Sequence, residues 1–269
     1  MSTVTSQPGA LRGAAQDLVD GTKAWESWLT LAWYDILLRY RRSMIGPLWI
    51  TVSMGIMLMG IGPLYSMIFG VPVRRFFPYV TLGIIFWQFI STSLIDGCTC
   101  ISSGGRYLKQ SPFPLSEFVW RVVAKHVIQL AHHAVLFVPV AIWFGVPVGV
   151  ETLAFVPGFL ILVGTLHAGC TACGILCARY RDVNQVVISV LQLAMFLTPV
   201  FWYPEGDAAG SRLVTWNPCV ALLDVVRLPL LGQAVPPRSW AMACGTFAAL
   251  FALATLLVAR CRQRVVYWI

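Results

Sequence analysis

Six long apolar runs, separated by short polar segments, dominate the chain. A membrane-spanning helix needs about 20 mainly apolar residues to cross a hydrocarbon core of about 30 Å. The runs that approach or exceed this length are residues 48–69, 77–95, 122–144, 153–177, 183–202 and 240–259. The pattern therefore predicts an all-α membrane protein with six transmembrane helices.

A shorter amphipathic segment precedes the first apolar run. Residues 1–22 are small and polar, which predicts a mobile tail. Within residues 23–45, tryptophan and aliphatic side chains recur at helical spacing. The segment ends on three arginines, Arg39, Arg41 and Arg42. This pattern is typical of a helix that lies in the membrane interface. A soluble helix packed on a core is the alternative, but the chain offers almost no soluble core.

The segment between the fifth and sixth runs breaks the pattern. Residues 199–232 contain apolar stretches that are too short to cross a bilayer, interrupted by several Pro and Gly residues. Such stretches are typical of re-entrant or interfacial segments. Irregular backbone at membrane depth survives only when it is buried in protein or lines a wet cavity. We therefore expect a re-entrant helical hairpin on the outer side, with an ordinary surface loop as the alternative.

The basic residues predict the orientation in the membrane. Lys and Arg accumulate on the cytoplasmic side of membrane proteins. If the amino terminus is cytoplasmic, six spans leave five of the 19 basic residues outside. These are Arg74, Arg75, Arg212, Arg227 and Arg238. The other 14 fall on the inner side, which predicts that both termini are cytoplasmic.

Composition agrees with a membrane environment and narrows the possible functions. Of the 269 residues, 58% are hydrophobic and 11% are charged, and the mean hydropathy is +0.76. The net charge of +8 comes from residues that flank the apolar runs, so no nucleic-acid partner is expected. Most of the eight cysteines lie within apolar runs, where Cys behaves as a small hydrophobe. No signal-peptide pattern opens the chain, so we expect the first span to direct insertion.

Catalytic motifs are missing from the sequence. The pattern G-x-x-x-x-G-K-[ST] forms the loop that cradles ATP phosphates, and no Gly-Lys pair occurs in this chain. Only 11 acidic residues are present, without a paired-Asp motif for metal diphosphates. We therefore expect a transport subunit rather than an enzyme, with no cofactor or metal in the chain itself.

Two groups of polar side chains lie within the apolar runs. The first group is His167, Cys170, Cys173 and Cys177. A metal site is one interpretation, but the surrounding Gly and Ala residues favour close helix packing. The second group is His126, His132 and His133, with Gln129 nearby. A proton relay and helix–helix hydrogen bonds are both possible for these histidines, and we favour hydrogen bonding.

Aromatic residues are candidates for the substrate path. Trp and Tyr are enriched at membrane interfaces, but aromatic faces also suit the apolar faces of sugar rings. Candidates occur in the second run and around the break after the fifth: Phe86, Trp87, Phe89, Phe201, Trp202, Tyr203 and Trp216. These aromatic side chains could belong to an interfacial belt or contact sugar rings, and both roles stay open at this point.

A distinctive motif joins the amphipathic segment to the first run. It reads Arg39-Tyr40-Arg41-Arg42-Ser43-Met44-Ile45-Gly46-Pro47-Leu48-Trp49. This resembles the R-Y-R-x-S-x-L-G-x-L-W segment of permeases from polysaccharide-exporting ABC transporters of type 2. The resemblance continues in matching order through residues 112–115, 179–182, 198–202 and 217–218. One departure is His132-His133, where the family pattern has His-Asn.

The resemblance implies a function and partners. Such permeases export O-antigen, teichoic acid and related glycans across the bacterial cytoplasmic (inner) membrane. They are homodimers with two ATPase subunits, which bind the ATP and Mg²⁺. Residues 46–269 would then be the permease domain, with an outer gate at about 199–232 and ATPase contacts in 104–117 and 179–184. The implied coupling residues are Arg106, Lys109, Glu117, Arg179, Arg181 and Asp182.

The usual cargo of this family is a glycan on a polyprenyl diphosphate carrier. Arg39, Arg41 and Arg42 suit that diphosphate, because a guanidinium matches phosphate geometry. Binding of anionic lipid headgroups, worth about 1 kcal/mol per basic residue, is the more general explanation. Two other functions stay open: a permease of the same type that exports a drug or lipid, and a proton-coupled secondary transporter that uses the third-run histidines.

Overall fold

The computed structural model describes residues 8–104, 113–204 and 211–269. All regular structure in these ranges is helical, which confirms the all-α fold class. A short 3-10 helix, Val150–Ala154, precedes the seventh α-helix. The α-helices are α1 Pro8–Lys23, α2 Trp25–Arg39, α3 Leu48–Phe69, α4 Val73–Ser103, α5 Leu115–Ala134, α6 Phe137–Phe144, α7 Phe155–Arg179, α8 Val183–Leu197, α9 Arg212–Thr215, α10 Pro218–Leu230 and α11 Pro237–Val265.

Five helical stretches in the described residues are long and apolar enough to cross a membrane. They are Leu48–Phe69, Val73–Ser103, Leu115–Phe144, Val150–Arg179 and Pro237–Val265. The fifth predicted run, 183–202, forms only the 15-residue helix α8. The helix ends at this point because the residue before a proline is disfavoured in helical geometry. Thr198, which precedes Pro199, is extended with ψ 134°.

The amino-terminal segment is helical, contrary to the predicted mobile tail. α1 packs against α5 and α11. Ala14 is 1% exposed and Asp17 is fully buried. The tail prediction for residues 1–22 is therefore wrong from Pro8 onward, because one face of α1 is covered by the bundle.

α2 occupies most of the segment predicted as an interfacial helix. It packs on α5 and buries Ala32 and Ile36. Other apolar side chains of the predicted stripe are open, with Trp25 54% and Trp33 44% exposed. The helix is thus confirmed, and its position in the membrane interface stays a prediction.

α4 is the central helix of the bundle. It contacts α3, α5, α7, α8 and α10, and most of its residues are buried. It packs closely on α7, where a Cβ on Gly97 would lie 2.7 Å from the sulfur of Cys170. A Cβ on Gly174 would lie 3.0 Å from the Gly97 carbonyl oxygen. Small residues allow membrane helices to pack this closely.

The predicted His/Cys group on α7 takes part in this packing. The Cys170 thiol donates to the Ser93 carbonyl of α4 at 3.1 Å. The His167 ring instead packs on Trp120 of α5, with centroids 4.4 Å apart. These two members therefore pack against different helices, Cys170 on α4 and His167 on α5.

The segment between α8 and α11 enters the bundle. α10 contacts α4, α7 and α11, and most of its residues are buried. Its backbone lies directly on α7, because a Cβ on Gly158 would come 2.0 Å from the Val225 carbonyl oxygen. α10 is therefore a buried element rather than part of a surface loop. Residues 205–210 of the predicted gate lie outside the described residues, and the re-entrant gate itself stays a prediction.

Candidate functional site

The start of α5, which borders the first predicted ATPase-contact segment, lies at the same end of the bundle as the second segment at Arg179. The start of α5 contacts α1, and Asp17 of α1 pairs with Arg262 at the end of α11. Arg179, at the end of α7, lies 5.0 Å from the ring centroid of Trp268, which follows α11. We call this the basic end, because it carries Arg121, Lys125, Arg179 and Arg262.

The predicted coupling loop is seen only at its borders. Arg106 and Lys109 lie outside the described residues. Glu117 lies in the first turn of α5 and is 7% exposed. Its Oε1 accepts a hydrogen bond of 2.6 Å from the Ser27 hydroxyl. The Glu117 carboxylate therefore joins α5 to α2 and does not face outward.

α2 binds the same part of α5 through two further contacts. Arg121 donates to both oxygens of Asp35, at 2.8 Å from Nε and 2.6 Å from Nη2. Such bidentate, charge-assisted pairs are strong and directional. The Trp28 and Trp120 rings stack with centroids 5.6 Å apart. These contacts fix the position of α2 on the first turns of α5.

The second predicted contact segment is open to solvent. Arg179, Arg181 and Asp182 are all exposed at the junction of α7 and α8. The Arg179 Nε donates to the neighbouring Tyr180 hydroxyl at 2.8 Å. These side chains are accessible to a partner, and their role in coupling stays a prediction.

Polar side chains of α4 and α5 form a connected cluster. Asp96 accepts hydrogen bonds from Lys125 and pairs with His126 Nε2, which lies 3.0 Å from its Oδ2. The Nδ1 of His126 lies 2.8 Å from Gln129 Oε1 and 3.2 Å from Thr92 Oγ1. His126 therefore makes the helix–helix hydrogen bonds favoured from the sequence.

The sequence interpretation missed the Asp96–Lys125 pair. The predicted run 77–95 stops one residue before Asp96, which left this carboxylate outside the predicted helix. The structure continues α4 to Ser103, so Asp96 lies inside a helix. The i, i+4 spacing of Thr92 with Asp96, and of Lys125 with Gln129, was the available signal, since such residues share a helix face.

A cavity of about 310 Å³ opens beside this polar cluster. It lies between the end of α2 and helices α3, α4 and α5. Arg39 and Tyr40 line it from α2, and Trp49 and Phe89 add aromatic surface. Of the three predicted headgroup arginines, Arg39 thus lines the cavity, while Arg41 and Arg42 are exposed in the following turn.

The predicted substrate-path residues of α4 occupy different places. Phe86 and Trp87 are 3% and 5% exposed. The Phe86 ring packs against Phe155, with centroids 6.1 Å apart. Phe89 lines the cavity, and its ring stacks on Phe159 at 6.2 Å. Phe86 and Trp87 are therefore buried in the core of the single chain, and their position on a substrate path stays a prediction.

A second polar network lies at the opposite end of the bundle. Arg227 of α10 is 1% exposed, and its Nη1 donates to the Pro199 carbonyl at 2.7 Å. Its Nη2 donates to Asp224 at 3.1 Å, and the Tyr79 hydroxyl donates to the same Pro199 carbonyl at 3.3 Å. Burial raises the pKa of the Asp224 carboxyl, and the neighbouring Arg227 guanidinium opposes that rise. The sequence interpretation missed this network because it only counted Arg227 among the basic residues of the outer side.

The remaining aromatic candidates surround this network. Phe201, Trp202 and Tyr203 are half-buried just after α8. The Tyr203 ring packs against Tyr79 with centroids 4.6 Å apart. Trp216 is 68% exposed, and the Arg238 guanidinium lies 4.4 Å from its ring centroid. Tyr203 thus contacts the network directly, and of these four predicted path residues Trp216 is the one that is open in the single chain.

A helical bundle with five stretches able to cross a bilayer defines an integral membrane protein. The chain belongs to the ABC-2 type transporter family, whose model matches residues 26–229. It is a multi-pass integral membrane protein of the bacterial inner membrane. The resemblance inferred from the motif is thereby confirmed.

Two curated relatives match most of the chain. One is the O-antigen export system permease protein RfbA of Myxococcus xanthus, 26% identical over 207 residues that cover 72% of this chain and 76% of the relative. The other is the O-antigen export system permease protein RfbA of Klebsiella pneumoniae, 20% identical over 205 residues that cover 70% of this chain and 74% of the relative.

Proposed function

We propose that the chain is the transmembrane subunit of an ABC transporter that exports a cell-surface polysaccharide. The observation that carries the proposal is its membership of the family over residues 26–229, together with two O-antigen export permeases among its relatives. The segment from Arg39 to Trp49 favours a glycan over a drug or lipid, because it resembles the glycan-exporting permeases.

ATP is hydrolysed by a separate subunit in this proposal. The sequence has no phosphate-binding loop, so the energy must enter through protein contacts. The basic end supplies candidate contacts for two ATPase subunits, which bind the ATP and Mg²⁺. The proposed contact residues are Arg106 and Lys109 of the coupling loop, with Arg179, Arg181 and Asp182 at the junction of α7 and α8.

A second copy of the chain completes the transport path in this proposal. α8 has one buried residue, Leu191, and leaves apolar side chains open, with Leu193 61% and Phe196 68% exposed. α8 is also shorter than a spanning helix requires. We propose that α3 and α8 of two copies enclose a channel. The aromatic residues after α8 would lie at its exit, with residues 199–232 as the gate.

The diphosphate of the carrier lipid is proposed to bind near the cavity beside α2. Arg39 lines that cavity, and Arg41 and Arg42 follow it in the chain. Guanidinium groups match phosphate oxygens in geometry and charge. The adjacent face of α3 is apolar and open, with Ile56 66% exposed, so a polyprenyl chain can stay in the lipid beside it.

Reconstitution of the chain with its ATPase tests the proposal. Proteoliposomes receive a polyprenyl-diphosphate-linked glycan, and the glycan moved across the membrane is measured after ATP is added. We expect transport to require ATP and to stop when the phosphate-loop lysine of the ATPase is replaced by alanine. Transport that continues without the ATPase and follows a proton gradient would identify a secondary transporter. Transport of a drug or lipid but not of glycan would identify the other alternative.

A further inference from the structure

We infer that Asp17 is a positioning residue for ATPase coupling. It caps the start of α5, directly after the predicted coupling loop, and ties that helix start to the end of α11. The inference rests on the proposed function, because it takes residues 104–117 as the place where the ATPase acts. The family match begins at residue 26 and does not include α1.

The first argument is the capping of α5. The first N–H groups of a helix have no partner inside it, and a nearby Ser, Thr, Asp or Asn usually accepts from them. The residue before α5 is Pro114, which makes no side-chain cap. Instead, the two carboxylate oxygens of Asp17 accept from Leu115 N–H at 2.9 Å and Ser116 N–H at 3.0 Å. A negative charge at this position also favours the helix dipole.

The second argument is the bond from Asp17 to α11. Arg262 lies in the last turn of α11, and its Nε is 3.2 Å from Asp17 Oδ1. Its Nη1 donates to the Gly13 carbonyl at 3.1 Å. The Asp17 side chain is buried, and a buried carboxylate is costly unless it is paired and hydrogen-bonded. One carboxylate therefore joins α1, α5 and α11.

The third argument is the closeness of α1 and α5. A Cβ on Gly21 would lie 2.0 Å from Ser116 Oγ and 2.9 Å from the Glu117 nitrogen. The Ser116 hydroxyl also donates to the Asp17 carbonyl oxygen at 2.5 Å. The backbone of α1 thus meets the start of α5 at Asp17 and again at Gly21, one helical turn later. This close contact leaves α1 no room to shift sideways on α5.

These contacts determine how a movement of the predicted coupling loop is transmitted from α5 to α1 and α11. The chain leaves α4 at Gly104, where a Cβ would lie 2.5 Å from the Phe118 ring, so the end of α4 abuts the start of α5. A displacement of Leu115 either breaks its hydrogen bond to Asp17 or moves α1 with it. Because α1 is bonded to Arg262, the movement reaches α11. Without the Asp17 carboxylate, the start of α5 loses its cap and the link to Arg262, so less of the movement driven by the ATPase reaches α11.

The test uses the full-length chain assembled with its ATPase in proteoliposomes and measures the glycan exported per ATP hydrolysed. Asp17→Ala removes the cap and the ion pair, whereas Arg262→Gln removes the ion pair and leaves the cap. We expect export per ATP to fall by about fivefold or more in Asp17→Ala, near the lower end of typical coupling between sites, and to fall less in Arg262→Gln. The controls are Asp20→Asn on α1 and Arg260→Gln on α11, both exposed, which should match the wild type.

Unchanged export per ATP in an assembled Asp17→Ala complex would overturn the inference. The double variant Asp17→Arg with Arg262→Asp restores a charge pair but not the cap, because arginine has no acceptor. We expect it to remain poorly coupled. Full recovery in that double variant would overturn the capping role.

Hydrogen exchange on the purified chain separates this inference from the proposed function. We expect faster amide exchange at Leu115 and Ser116 in Asp17→Ala than in Arg260→Gln, whatever the cargo is. Unchanged exchange would overturn the cap. A wild-type complex that exports no glycan would overturn the proposed function instead. If Asp17→Ala does not fold, Asp17→Asn replaces it, since the amide keeps one acceptor oxygen for the helix.

Discussion

The guanidinium of Arg227 lies over the ring of Tyr79, 3.9 Å from its centroid, and both side chains donate to the Pro199 carbonyl. α4 and α10 thereby meet on the backbone break that ends α8. Because residue 199 lies outside any helix, its carbonyl needs partners from elsewhere. The buried guanidinium of Arg227 in turn needs the carboxylate of Asp224 as its counter-charge. The Pro199 carbonyl, its two donors and Asp224 therefore depend on one another.

Arg227→Met should destabilise the protein by about 3–5 kcal/mol, the usual effect of removing one partner of a buried ion pair. The Pro199 carbonyl and the Asp224 carboxylate both lose a donor in this variant. Thermal unfolding in detergent measures the change. Arg238→Met is the control, because Arg238 is exposed beside an exposed ring, that of Trp216. Equal shifts in the two variants would contradict a structural role for the network.

Gly158→Ala should push α10 away from α7 and destabilise the protein by about 1–3 kcal/mol, as overpacking usually does. The added methyl group would meet the Val225 carbonyl, which is backbone and cannot rotate away. Gly60→Ala on α3 is the control, since nothing lies within 4 Å of its Cβ position. Alanine favours a helix over glycine by about 1 kcal/mol, so the control should be neutral or stabilised. Similar thermal unfolding of both variants would mean that α10 is not tightly packed.

Asp96 and Lys125 should show strong energetic coupling in a double-mutant cycle. Lys125→Met leaves Asp96 with His126 as its remaining ionisable partner, and Asp96→Leu leaves the ammonium of Lys125 without its acceptor. We expect the double variant to lose less stability than the sum of the single variants, because it removes both charges together. Thermal unfolding of the four proteins gives the coupling. Additive effects would show that the two side chains do not depend on each other.

Lys109→Glu should weaken binding of the ATPase without affecting membrane insertion, because the change reverses a charge in the predicted coupling loop. Glu117→Gln should instead act on stability through Ser27, since Glu117 is buried and bonded to α2. Co-purification of the ATPase and ATPase stimulation distinguish the two effects. Normal binding and stimulation in Lys109→Glu would mean that this loop is not the main transmission element.

The gate can be tested by thiol labelling in a background that lacks the eight native cysteines. Thr198→Cys should label slowly at rest, because Thr198 is fully buried beside Asn217. Turnover with the ATPase and glycan should speed its labelling by a membrane-impermeant reagent. Trp216→Cys should label quickly in both states, because Trp216 is 68% exposed. Fast labelling of Thr198→Cys at rest would mean that the segment after α8 is an ordinary exposed loop and not a gate.

Six spans were predicted from the long apolar runs, and five of these runs form helices long enough to cross a membrane. These five could be predicted because each run satisfies the length of the bilayer by itself. The ends of these helices were less predictable. α4 continues past residue 95 with Asp96 inside it, because Lys125 and His126 from another helix satisfy the carboxylate. A neighbour supplied by tertiary structure is not visible in a local pattern.

The same limit explains why the burial of α1 and of several candidate side chains was not predicted. α1 has few periodic apolar residues, and its burial depends on Asp17 meeting residues 98 and 99 positions away. Glu117, Phe86 and Trp87 have residue types that suit a contact or a path, yet packing with α2 and α7 buries them. The residue types marked these positions as notable, but the sequence did not show which face of each helix is buried in the bundle.

We expect the short length of α8, 15 residues, to affect the membrane beside it. At a rise of 1.5 Å per residue the helix is about 22 Å long, against a hydrocarbon thickness of about 30 Å. Bilayers adapt to a short apolar segment by thinning locally, at a modest energetic cost. The hydrocarbon core is then expected to be thinnest along α8, where we propose that the glycan passes. A hydrophilic polymer would cross a shorter apolar distance there than beside any of the five longer spans.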